Sequence, residues 1–109
     1  MSESIIYITA SSAKEAEIIG HTIVSKRLAA CVNIIDNMKS IYHWQGKIET
    51  GDEIILIAKT KNELINELIE NVKTLHSYEC PCVVAFQIIA GNEAFLQWIR
   101  DETKNISTT

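Results

Sequence analysis

Along the chain, two-residue and helical apolar periods alternate in the order strand, helix, strand, strand, helix, strand, with one further helix at the end. Two βα units joined through a hairpin predict an α+β fold, the ferredoxin-like split βαβ: a four-stranded antiparallel sheet with both main helices on one face. The central hairpin is unusually long. Its arms, Cys31 to Trp44 and Lys47 to Lys59, far exceed the roughly 5–6 residues of an ordinary strand. Between them Gln45-Gly46 supplies a two-residue reversal, with Gly46 free to take a positive φ. All 109 residues form a single domain.

The first strand is the β-branched run Ile5–Thr9. Ser12-Ala-Lys-Glu15 has the form of a capping box and opens a helix from Ala13 to Arg27. On it Ala16, Ile19, Gly20, Ile23, Val24 and Arg27 recur at helical spacing, with Lys26 and Arg27 in the last turn to suit the macrodipole. His21 falls among polar neighbours and reads as a surface residue. In the hairpin, Asp36-Asn37 interrupts one arm and Thr50-Gly51-Asp52 the other, so a bulge or bend is expected in each. Thr60-Lys-Asn-Glu63 is a second capping box. Behind it, Leu64, Ile65, Leu68, Ile69, Val72 and Leu75 make the apolar stripe of a helix ending near His76. The fourth strand is Val83–Ile89, entered through Pro81, and Asn92 caps a short helix bearing Phe95, Leu96, Trp98 and Ile99. The polar tail from Lys104 to Thr109 is expected to fray.

Composition narrows the function. Fourteen acidic against ten basic residues give a net charge of −4, which argues against nucleic acid as the main partner. No stretch is long and apolar enough to span a membrane, and the start MSESIIYITAS lacks the basic region of a signal peptide. A cytoplasmic protein is therefore expected, with its three cysteines reduced. Catalytic templates are missing: no Gly-rich phosphate loop, no H-E-x-x-H and no serine elbow. The chain reads as a binder and not as an enzyme.

Several blocks resemble one family. Lys26-Arg-Leu-Ala-Ala-Cys-Val-Asn33, Ser40-Ile-Tyr-His-Trp-Gln-Gly-Lys-Ile-Glu49 and Leu56-Ile-Ala-Lys-Thr60 look like the CutA family of divalent-cation tolerance proteins. His76-Ser-Tyr-Glu79-Cys-Pro81 resembles its H-P-Y-E-x-P element, and Gly91-Asn92 with Leu96-x-Trp98-Ile99 resembles its C-terminal block. The likeness runs from about Ile5 to Ile99. It implies a ferredoxin-like fold, a homotrimer built through the long hairpins, and a role in tolerance to divalent cations, copper among them, without an established reaction. Tyr42, Lys59, Tyr78 and Glu79 match family positions, which implies a ligand-binding cleft between subunits. Ser77 replaces the family's proline, and Cys82 creates a Cys-Pro-Cys pair that the family does not generally have.

His76, Cys80 and Cys82 form H-x3-C-x-C, whose soft thiolates and imidazole suit Cu(I) or Zn(II). If the strand begins at Cys80, both sulfurs lie on one face. The same residues also read as a filler thiol and a helix-terminal histidine. Cys31, in an apolar run, reads as a packed core thiol, and His43 as solvent-facing. Ile41, Trp44 and Ile48 near the hairpin tip are expected at an interface between copies of the chain. A trimeric small-molecule sensor or scaffold resembling the PII signalling proteins is the alternative from another class, though the tight Gln45-Gly46 turn leaves no room for a mobile loop there.

Overall fold

In the computed structural model, which describes residues 2–106, the elements follow the expected order. They are β1 (Glu3–Ala10), α1 (Ala13–Ser25), β2 (Cys31–Trp44), β3 (Lys47–Lys61), α2 (Ile65–Leu75), β4 (Val83–Gln87) and α3 (Glu93–Glu102), with a 3-10 turn at Asn62–Leu64. The sheet runs β2-β3-β1-β4 with every neighbour antiparallel. Its even-numbered residues in β1 and β3 (Ile6, Ile8, Leu56, Ala58) are sealed in one core with Ile19 and Ile23 of α1 and Leu68 and Val72 of α2. Both main helices therefore cover one face. Among the described residues no helix is long and apolar enough to cross a membrane.

Helix starts and stops follow local chemistry only where the sheet permits it. The Ser12 hydroxyl accepts from the Glu15 N–H at 3.1 Å, whereas Glu15 takes the Ser11 N–H in place of that of Ser12. At the other end, α1 stops two residues before the expected Arg27, so neither Lys26 nor Arg27 lies in its last turn. Arg27 adopts a left-handed φ of 58°, and Leu28 N–H returns to the Ile23 carbonyl while Arg27 N–H returns to that of Val24. This pair of bonds is a Schellman stop, and it carries the buried Leu28 back beside Ile23 in the core. Val24, expected on the core side, is partly exposed.

The second capping box does not form. Thr60 belongs to β3, paired with Ser4, and its hydroxyl donates to the Leu28 carbonyl at 2.6 Å. The ladder thus takes the residue that would have capped, and α2 begins behind the 3-10 turn with no side-chain cap. On α3, Asn92 caps as expected, accepting from Ala94 N–H. Lys104 is tied down rather than frayed: its N–H reaches the Arg27 carbonyl and its ammonium the Glu67 carboxylate. The remaining expectation of fraying at residues 107–109 lies outside the described residues.

The hairpin carries the feature that positions the site. Gln45 and Gly46 both have positive φ, 51° and 79°, the signature of a type I′ turn. Asp36 and Asn37 together oppose Ile54, since Ile35 pairs with Ile55 and Met38 with Glu53, and Asn37 takes a φ of 65°. This bulge is present as expected, but the one anticipated at Thr50-Gly51-Asp52 is not: those residues pair in unbroken register with Ile41, Ser40 and Lys39. The bulge shifts the alternation of β2 by one residue. Beyond it Ser40, Tyr42 and Trp44 share the helix-free face with Glu53, while Ile41, His43 and Ile48 share the other.

β1 pairs with β3 only from Ile54 to Lys61. The rungs from Met38–Glu53 to Trp44–Lys47 therefore have only each other, and the ribbon projects from the sheet. The molecule measures 45 × 30 × 24 Å with a radius of gyration of 14.7 Å, above the roughly 13 Å of a compact domain this long.

Candidate functional site

At the base of this ribbon lies a cavity of about 350 Å³. The ribbon's helix-free face contributes Tyr42, Trp44 and Glu53, β1 contributes Thr9, and the α2–β4 connection contributes Tyr78, Glu79, Cys80 and Cys82. Two carboxylates, two thiols and three aromatic rings meet there, and no Lys, Arg or His lines the space.

The α2–β4 connection is held against the sheet by a buried histidine. The His76 side chain is 0% exposed. Its Nε2 lies 2.6 Å from the Thr9 carbonyl, which can only accept, so Nε2 carries the hydrogen. Its Nδ1 then accepts from Tyr78 N–H at 3.0 Å, and the His76 and Tyr78 rings sit 4.7 Å apart. Both ring nitrogens are thus occupied by protein.

Glu15 completes the clamp. One carboxylate oxygen accepts from the Ser11 N–H and hydroxyl, the other from the Ser77 N–H at 2.7 Å. Burial alone would raise its pKa. The hydrogen bonds from the Ser11 and Ser77 backbone and hydroxyl groups more than offset that and hold it down at about 2. Ser77, where proline was the resemblance's expectation, supplies the N–H that proline lacks.

Because the carboxylate is depressed in the folded state, it contributes stability above its ordinary value of 4.5 that drains away as pH falls through about 2. Glu15→Gln should lose roughly 1–3 kcal/mol at neutral pH and flatten the fall of stability between those limits. Urea midpoints measured from pH 2 to 7 on both proteins check this. Parallel curves would refute it.

Tyr78 points its hydroxyl at the Glu53 carboxylate, 3.0 Å away. Burial, then the hydrogen bond and charge of Glu53, push the phenol up to about 12, with smaller contributions from Tyr42 and Glu15. Burial also raises the Cys82 thiol, with Glu53 adding to it.

The residues singled out from the sequence divide in space. Tyr42, Tyr78, Glu79, Cys80 and Cys82 meet at the cavity, and Trp44 joins them. Lys59 does not: it lies six residues along β3 from Glu53, about 20 Å at strand rise, where its ammonium donates to Asn33. Cys80 and Cys82 precede β4, which begins at Val83, so their placement comes from a loop and not from strand alternation. The expected trio of His76, Cys80 and Cys82 is not assembled as a ligand set, because His76 is committed to Thr9 and Tyr78. Among the described residues no group of three or more His, Cys, Asp or Glu side chains is arranged to hold a metal ion. Ile41 and Ile48 share the ribbon's other face with His43, apart from Trp44. Cys31 is partly exposed, opposite Lys59. The sequence reading missed Glu53, Thr9 and Glu15. Only Glu15 had a signal, its place in a capping box.

A family model described as CutA1 divalent ion tolerance protein matches residues 4–102. The chain is 49% identical over 98 residues to a divalent-cation tolerance protein CutA of Archaeoglobus fulgidus, covering 90% of this chain and 94% of that protein. It is 41% identical to human protein CutA over 97% of this chain, but spans only 59% of the human protein's length. Against solved structures, it superposes on CutA1 of Oryza sativa with a TM-score of 0.94 at 36% identity, covering 97% of each chain. The Thermus thermophilus divalent cation tolerance protein gives 0.92 at 41%, covering 94% of this chain and 99% of that one.

Proposed function

The chain belongs to the CutA1 divalent ion tolerance family, and we propose on that premise that it binds divalent or soft cations, copper among them, as a tolerance protein and not as a catalyst. The observation that carries this is the cavity at the ribbon's base, which collects Glu53, Glu79, Cys80 and Cys82 with no cationic side chain. Thiolates suit Cu(I) and Zn(II), and carboxylates suit harder divalent ions. Among the described residues, one chain offers too few convergent donors for a closed site. The reading therefore includes a homotrimer in which a neighbouring chain completes the coordination. Cytoplasm, where three thiols would stay reduced, is part of the same reading. Compartment varies among relatives: an Arabidopsis relative is named chloroplastic and the Archaeoglobus structure is described as periplasmic.

Anaerobic titration with Cu(I), Cu(II) and Zn(II), read by native mass spectrometry, tests the reading. Cys80→Ser/Cys82→Ser should weaken Cu(I) and Zn(II) by at least about tenfold, the smallest loss usual for removing even a group that only supports a ligand. Because burial and the Glu53 charge raise the Cys82 thiol, a metal binding its thiolate must displace a proton, and affinity should climb with pH. Unchanged stoichiometry and affinity in the double variant would show the thiols to be structural.

A further inference from the structure

The same cavity has a second chemical character that metal binding does not use. Its volume, about 350 Å³, falls in the roughly 300–1,000 Å³ range of small-molecule sites. That is far more room than the ~2.0–2.6 Å donor shell of a single ion needs. Trp44, Tyr42 and Tyr78 line it, each about half to two-fifths exposed and so presenting ring surface to an occupant. Of Glu53, one oxygen accepts from Tyr78 and the other has no partner among the described residues. The Glu79 carboxylate has none. Within one chain, negative charge without a lining cation disfavours an anionic ligand, and aromatic faces favour a cation that carries carbon around its charge.

We infer that the cavity accepts a small organic ammonium ion, its nitrogen at Glu53 and Glu79 and its alkyl part against Trp44, Tyr42 and Tyr78. This rests on the reading of the cavity as a cation site and names a ligand class for it. Three features work together. The carboxylates supply charge-assisted acceptors for N–H donors. The rings attract the ammonium through their negative faces, Trp most strongly. The Tyr78–Glu53 hydrogen bond fixes one ring and one carboxylate relative to each other before a ligand arrives, which lowers the ordering cost of binding. Neutral alcohols of the same shape would gain the ring contacts and lose the charge.

The test uses the purified, metal-free protein and two probes, butylammonium and its neutral counterpart 1-butanol. Titration calorimetry is run alongside Trp44 fluorescence in a Trp98→Phe background, which removes the other tryptophan. Butylammonium should bind saturably and quench Trp44, while 1-butanol should not. Glu79→Gln and Trp44→Leu, both at exposed positions whose replacement leaves the core intact, should each weaken butylammonium about fivefold or more. Equal response to both probes, or affinity indifferent to both variants, would overturn the inference. Zn(II) is titrated in parallel. Zinc binding without butylammonium binding sinks the ammonium site and leaves the metal reading standing. Butylammonium binding without any metal binding does the reverse.

Discussion

Replacing Ile48 with lysine is expected to break the assembly and lower the melting temperature together. Among the described residues the ribbon from Met38 to Glu53 has no strand partner beyond its own two arms, every residue from 41 to 50 is exposed, and an isolated hairpin is marginal in water. On its outer face Ile41 is 71% and Ile48 68% exposed. Covering such side chains is worth about 1.5–3 kcal/mol each, and a closed ring of chains covers every copy at once. Light scattering during size-exclusion chromatography should report about three chains per particle at micromolar concentration. Two-fold pairing would bury the same face, so the number three rests on the family resemblance. Ile48→Lys should give a smaller particle that melts earlier, and its melting should lose its dependence on protein concentration. A wild-type protein that is a stable monomer at these concentrations would end the idea.

What could be read from the sequence, and what could not, turns on register. Strand and helix identities came through because each segment's period is strong and Gln45-Gly46 marks the reversal plainly. The bulge at Asp36-Asn37 could also be read, but its consequence could not. One extra residue exchanges the faces of everything beyond it, so Tyr42 and Trp44 share a side with Glu53 and leave Ile41 and Ile48 on the other. Grouping Trp44 with the two isoleucines rested on proximity in sequence, and the pleat sets them on opposite faces of the ribbon. The failed capping box at Thr60 has a related cause. β1 extends to Glu3 and pairs through Lys61, and a ladder partner outweighs a local side-chain cap. Likewise, the Val83–Ile8 rung is the last between β1 and β4. Beyond it only the Thr9 N–H bond to the Cys82 carbonyl continues, and both cysteines fall into the loop.

His76 brings these threads to a second large effect. The sequence left it open as a metal ligand or a helix-terminal histidine; buried between Thr9 and Tyr78, it is the pin that holds the cavity's loop to β1. His76→Ala should cost about 2–4 kcal/mol, from one cavity and two polar groups left without their partner. His76→Gln, which can still donate to the Thr9 carbonyl, should recover part of that loss. Once unfolding is allowed for, metal affinity should change less in His76→Gln than in Cys80→Ser/Cys82→Ser, because the imidazole has no free nitrogen to give. Denaturant unfolding paired with Zn(II) titration of the three variants separates the two roles. A His76→Gln protein of full stability that no longer binds metal would restore the histidine as a ligand and displace the pin.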